Sequence, residues 1–116
     1  MRVVLEEDAV TDLRELDGAV RRRALAKLML IERDPNAGRA LGRKPGIVLP
    51  GYRKLRFRGW RIIYDLSAGG QGAVILHIGS QSDMECYLEV EGRLSQMNDP
   101  GRRHSLEQVI EILKAT

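Results

Sequence analysis

Apolar residues recur along this chain with two different periods, and each change of period marks a new element. The opening run Arg2–Glu6 (RVVLE) is short and β-branched, which predicts a strand. Ala9, Leu13 and Leu16 then fall at i, i+4 and i+7, the spacing of one helix face, with Asp8 as the predicted cap. Asp17-Gly18 interrupts that pattern. Residues 19–33 resume it, with Val20, Ala24, Leu25, Leu28 and Ile31 as a buried stripe, and Pro35 ends it. Two helices of this length cannot bury both apolar faces against each other alone, so they predict a sheet beneath them.

Residues 36–50 are rich in Gly, Pro and basic side chains and read as a loop. Beyond them the period becomes two. Residues 52–58, 60–66 and 73–78 read as strands joined at Gly59 and around Gly69-Gly70, which makes an antiparallel meander. In the first, Tyr52, Lys54, Arg56 and Arg58 share a face, and Leu55 and Phe57 take the other. In the second, Trp60, Ile62, Tyr64 and Leu66 oppose Arg61, Ile63 and Asp65. In the third, Val74, Leu76 and Ile78 oppose Ala73, Ile75 and His77. Apolar residues on both faces make this a central strand. The N-terminal strand is expected at an edge, completing a 4-stranded sheet. Residues 82–97 predict a weakly periodic helix, and Asn98-Asp99-Pro100-Gly101 a break. Residues 105–114 predict a short amphipathic helix with Ser105 and Gln108 as a capping pair. The sum is an α+β fold in a small single domain, residues 1–97, with a helical extension of it over residues 98–116.

Charge changes this picture. The 116 residues carry a formal net charge of only +3, but residues 21–64 alone carry thirteen basic and two acidic side chains. The blocks 1–20 and 65–101 are acidic, at −4 and −5. The basic block is where a nucleic acid or an acidic protein would dock. The single cysteine, Cys86, excludes an internal disulfide and a cysteine-based metal cluster. No apolar run approaches the roughly 20 residues of a membrane span. Acidic residues enter the N-terminus too early for a secretory leader, so a cytoplasmic protein is expected.

The helical hairpin DLRELDGAVRRRALAKLMLIERDP, followed by LPGYRKLRFRGWRIIYDL and AVILHIGSQSDMECY, resembles the RelE/ParE family of bacterial type II toxin–antitoxin toxins. The resemblance covers residues 2–94. It implies a RelE-like fold and, for RelE-like members, a ribosome-dependent messenger RNA endoribonuclease that blocks translation without a metal or other cofactor. The ribose 2′-hydroxyl would attack the adjacent phosphate, which calls for cations on the phosphate and groups that move protons. Arg61 matches the family's phosphate-holding arginine. Arg53, Lys54 and Arg56 cover its basic positions one strand earlier, and Tyr87 its C-terminal tyrosine; Arg58 is a further candidate for nucleic-acid binding on the same basic strand. Gln81 stands where the family has a further catalytic arginine, and His77 is the substitute proton carrier.

Other readings stand beside this one. The ParE branch of the family inhibits a protein target such as DNA gyrase and needs no ribonuclease residues, and Gln81 leans that way. A decayed relative that only binds nucleic acid is a third reading. Arg61 could simply pair with Asp65, and His77 could simply pack. The implied partners are a cognate antitoxin and ribosome-bound messenger RNA, with no small-molecule ligand. The 105–114 helix is a candidate for a homodimer contact.

Overall fold

The computed structural model describes residues 2–41, 51–66, 72–80, 82–94 and 103–114. Ten elements follow one another. They are β1 (Arg2–Glu6), α1 (Glu7–Glu15), α2 (Gly18–Arg33), β2 (Arg39–Ala40), β3 (Tyr52–Phe57), β4 (Trp60–Asp65), β5 (Gly72–Gly79), α3 (Asp83–Leu94), β6 (Arg103–Ser105) and α4 (Leu106–Lys114). The strands form one sheet in the order β2-β3-β4-β5-β1-β6. The α+β class and the meander β3-β4-β5 are as the periodicity predicts. The sheet has six strands rather than four, and β1 is not at its edge. It lies parallel to β5, with β6 antiparallel outside it. β2 and β6 have two and three residues, too few to show an alternation in sequence.

Local chemistry accounts for the joints. Asp17 caps α2, accepting the Val20 amide at 3.0 Å. Asp8 is not the cap of α1; that helix starts directly after β1 from Glu6, and Asp8 sits in its first turn. Ser105 and Gln108 form the expected capping box, with bonds of 3.1 and 2.9 Å. Phe57 pairs with Trp60, which leaves Arg58-Gly59 as a two-residue turn. Both have positive φ, 48° and 80°, the backbone a tight right-twisted hairpin requires. Arg58 is therefore a turn residue and not the last residue of the strand face. Gly72 lets β1 approach β5, because a Cβ there would lie 2.4 Å from the Arg2 carbonyl oxygen. The Gly69-Gly70 turn and the break at 98–101 lie outside the described residues.

One irregularity redirects the chemistry. Ile63 faces His77, while Tyr64 faces Ile75, so β5 carries one extra residue, Leu76. The bulge overturns the expected faces of β5. Val74 and Leu76 stay together, but Ile78 crosses to the other face and His77 joins the face of Arg61 and Ile63.

The core has two parts. On one face, Val3, Leu5, Ile62, Tyr64 and Ile75 pack under α1 and α2 (Leu13, Leu28, Ile31) and α4 (Leu106, Val109). On the other, Ile63, Val74 and Leu76 pack under Cys86, Tyr87 and Val90 of α3. The extension 98–116 thus adds β6 and α4 to the larger core. Its Leu106 and Val109 are buried within their own chain. Among the described residues no helix is long and apolar enough to cross a membrane.

Candidate functional site

Strand register sets the site. Lys54 stands opposite Ile63 and Arg56 opposite Arg61, so these side chains share the sheet face that α3 covers. α3 begins at the end of β5, and its first residue, Asp83, comes down between two of the cations. Lys54 Nζ donates to Asp83 Oδ2 at 2.8 Å, and Arg61 Nε donates to Oδ1. The side chains of Lys54 and Arg61 are only 14% and 12% exposed. Arg61 also donates to the Gly59 carbonyl at 3.2 Å. The Lys54 ammonium lies 5.9 Å from the centre of the Tyr87 ring, itself buried. The hydrogen bond from Lys54 leads in holding the Asp83 carboxyl below its usual range, against a cost of burial, with Arg61 adding to it.

The other expected residues are placed differently. Arg56 is exposed and Arg58 projects from the hairpin turn. Arg53 points to the opposite face. It donates to Asn36 Oδ1 at 2.8 Å and to the Gly38 carbonyl at 3.1 Å, fastening the link between α2 and β2. The Tyr64 hydroxyl fastens the same link, accepting from Gly38 N at 2.9 Å and donating to the Pro35 carbonyl at 2.8 Å. Gln81 lies outside the described residues.

His77 belongs to a second, buried cluster. It is 2% exposed, and its Nδ1 lies 3.5 Å from Asp12 Oδ2, close enough for charge attraction but without an aligned hydrogen bond. Burial alone would lower its pKa, but the Asp12 carboxylate and the Cys86 thiol beside it push it up to about 9. Asp12 also takes a two-pronged bond from Arg93, at 2.7 and 2.8 Å. Burial would raise the Asp12 pKa, but the bonds from Arg93 and the Ile78 amide, with the nearby His77 ring, outweigh it and hold it low.

This cluster solves a backbone problem. β1 pairs with β5 only as far as Ile75, so beyond that point β5 has β4 on one side and no strand on the β1 side. Asp12 Oδ2 accepts the Ile78 amide at 3.0 Å and Arg93 donates to the Leu76 carbonyl at 2.8 Å. Two side chains from α1 and α3 take the place of a strand. Sequence reasoning missed both. Arg93 did carry a signal, as the one basic residue in the acidic block 65–101.

The structure therefore brings Lys54, Arg61 and Tyr87 together around Asp83. It keeps His77 apart with Asp12, Cys86 and Arg93, and turns Arg53 away.

Compared with known proteins, residues 3–85 match the family described as ParE toxin of type II toxin-antitoxin system, parDE. The search of curated proteins gave no match. Among solved structures, the chain resembles the RelBE2 toxin–antitoxin complex of Mycobacterium tuberculosis, at 22% identity and TM-score 0.59, covering 69% of this chain and 96% of that one. It also resembles free E. coli RelE carrying two arginine-to-alanine substitutions, at 20% identity and TM-score 0.61, covering 81% and 99%. The same mutant toxin bound to a peptide of its antitoxin RelB gives 23% identity and TM-score 0.57, covering 76% and 90%. At these identities the likeness speaks for the fold.

Proposed function

The chain belongs to the ParE toxin family of type II toxin–antitoxin systems, and from that premise we propose that it arrests growth by binding a protein target, DNA gyrase being the first to test, rather than by cutting RNA. The observation that carries this reading is the state of the expected nuclease residues. Lys54 and Arg61 are both held by the Asp83 carboxylate, and Tyr87 of α3 and His77 beneath it are buried. A phosphodiester entering here would meet a carboxylate where cleavage needs positive charge. Binding a protein needs no such charge, and a ParE-like toxin loses nothing by closing this face.

A second reading, the ribosome-dependent endoribonuclease, is favoured by one observation. Two cations from neighbouring strands converge on a single carboxylate, as they could on a phosphate. It requires Asp83 to leave first. In either reading the cognate antitoxin is the natural partner, since a solved relative of this fold is bound to a peptide of its antitoxin. The exposed Arg39, Arg56 and Arg58 suit an acidic segment of it.

The test is induced expression of the wild type and Arg61→Ala in bacteria, with primer extension on a ribosome-bound message and a supercoiling assay on purified gyrase. Growth arrest by both chains, inhibited supercoiling and no new cuts are expected. New cuts that disappear in Arg61→Ala overturn the proposal in favour of the nuclease.

A further inference from the structure

Asp83 is placed unlike the other acidic residues of α3. Glu85 bonds to Ser82 Oγ at 3.0 Å, and Glu89 to Arg93 at 3.1 Å, so both are met from within or beside their own helix. Asp83 reaches across to the sheet and gives one oxygen to each of two cations from different strands. Those cations are not alone. Arg39 stands opposite Lys54 in the β2–β3 ladder and Arg56 opposite Arg61 in the β3–β4 ladder. Both are exposed, and neither has an ion pair among the described residues. Like charges directly opposite one another repel. The carboxylate that bridges two of these four cations leaves the exposed Arg39 and Arg56 to attract further anions.

The shape of the contact narrows the anion. A guanidinium Nε–H and an ammonium, held on adjacent strands, meet two oxygens of one planar group. The same two donors fit two oxygens of a tetrahedral phosphate. The Asp83 side chain is 35% exposed, against 14% and 12% for Lys54 and Arg61, so solvent reaches the carboxylate more freely than the cations behind it. An incoming anion that takes both of these donors must displace the carboxylate that now holds them. The resemblance assigns Arg61 and the basic positions beside it to a phosphate; we infer that Asp83 occupies this position as a built-in competitor, so that the start of α3 keeps it shut, and that Arg56 and Arg39 extend it. Lys54 and Arg61 hold the carboxyl ionised well below neutral pH, so the competitor is present in full at physiological pH. The site is shut in this way whichever macromolecule the toxin attacks. It is read below without growth, gyrase or ribosomes, so its failure and that of the proposed function are separate results.

The experiment is calorimetric titration of the full chain with inorganic phosphate and, separately, with hexauridylate, for the wild type, Asp83→Asn and Glu85→Gln. Removing the competing charge at contact distance is expected to tighten binding about tenfold or more in Asp83→Asn. The gain should shrink with added salt and vanish when Arg61→Ala is added. Glu85→Gln removes the same charge from the same turn of helix without touching Lys54 or Arg61, and should leave binding as in the wild type. A larger gain for hexauridylate than for phosphate assigns the site to a phosphodiester chain running over Arg56 and Arg39. Equal gains assign it to a single phosphate. No gain for either anion, or an equal gain in Glu85→Gln, overturns the inference. Asp83→Ser, which keeps a good helix-start side chain, repeats the measurement should the amide disturb α3.

Discussion

Beneath α1, α2 and α4 the sheet meets its helices through a continuous apolar layer, from Val3 and Leu5 to Leu28, Ile31 and Val109. Beneath α3 it meets a patch of six buried residues, and that patch is bracketed by charge at both ends of the helix. Asp83 binds Lys54 and Arg61 at the first turn; Arg93 binds Asp12 and the Leu76 carbonyl at the last. Hydrophobic burial scales with area and does not care much about direction. Ion pairs and hydrogen bonds depend on geometry, and each has its own exposure. The first face is therefore built to stay closed, and the second to hold one helix in one position by a few separable contacts. Lys54 and Arg61, the cations of the proposed anion site, lie on the second.

The largest expected effect tests whether the two faces differ in reach. Leu28 is fully buried in the larger core. Leu28→Ala should cost about 3 kcal/mol, with a range of roughly 2–5, and the loss should be global. Val90, equally buried but under α3, should cost about 1–2 kcal/mol as Val90→Ala, through lost methyl burial and a smaller cavity. Urea unfolding with hydrogen exchange separates the two. Leu28→Ala should speed exchange across all the strands, Val90→Ala chiefly in α3. If both changes act equally and everywhere, the faces are one cooperative unit and the contrast fails.

Next in size is the buried pair at the end of α3. Arg93 and Asp12 are each only 13% exposed, and removing one leaves the other unpaired out of water. Arg93→Ala should cost about 2–3 kcal/mol, since it also strips the Leu76 carbonyl of its donor. Arg93→Lys should recover only part, because an ammonium cannot bridge both Asp12 oxygens and the carbonyl with the same fork. Exchange at the Ile78 amide, which Asp12 accepts, reports the loss directly. An unchanged Ile78 amide in Arg93→Ala would mean that Asp12 holds its place without Arg93.

The elements with strong periods were legible from sequence: both hairpin helices, the meander, and α4 with its Ser105–Gln108 box. Three kinds of feature were not. β2 and β6 are shorter than any period that could announce them. The bulge at Leu76 carries no glycine or proline, and one extra residue was enough to send Ile78 and His77 to faces that strict alternation denies them. The ion pairs of Asp83 and Asp12 join residues 22 to 81 positions apart, and no local pattern encodes such partners. Asp83 stands two residues after Gln81, and nothing local marks it as the group that two cations hold. Asp12 falls off the apolar stripe of α1 and reads as an ordinary polar residue until β5 is seen to lack a strand on the β1 side there. Tyr87 is buried, with the Lys54 ammonium 5.9 Å from its ring, a contact that no spacing in the sequence announces.

The smallest of these effects is a pH dependence that only the α3 face should show. His77 has an ordinary pKa of 6.5 and is pushed up to about 9 in the folded chain, where Asp12 and Cys86 face it. A group whose pKa is raised by folding binds its proton more tightly in the native state. Its contribution is fully present below pH 6.5 and is lost as pH rises through 9. Between pH 6.5 and 8 the linkage relation removes on the order of 1–2 kcal/mol. Asp12 runs the other way, since its pKa is lowered by folding. Its contribution is present at neutral pH and lost only in acid, so it does not blur the alkaline limb. His77→Gln should flatten that limb in urea midpoints taken from pH 6 to 9, and hydrogen exchange should locate the wild-type loss in α3 and the end of β5. A limb of unchanged slope in His77→Gln would assign the titration to another group. A flattened limb with exchange spread over the larger core would show that charge on the α3 face is felt by the whole sheet, and that the two faces are less separable than their chemistry implies.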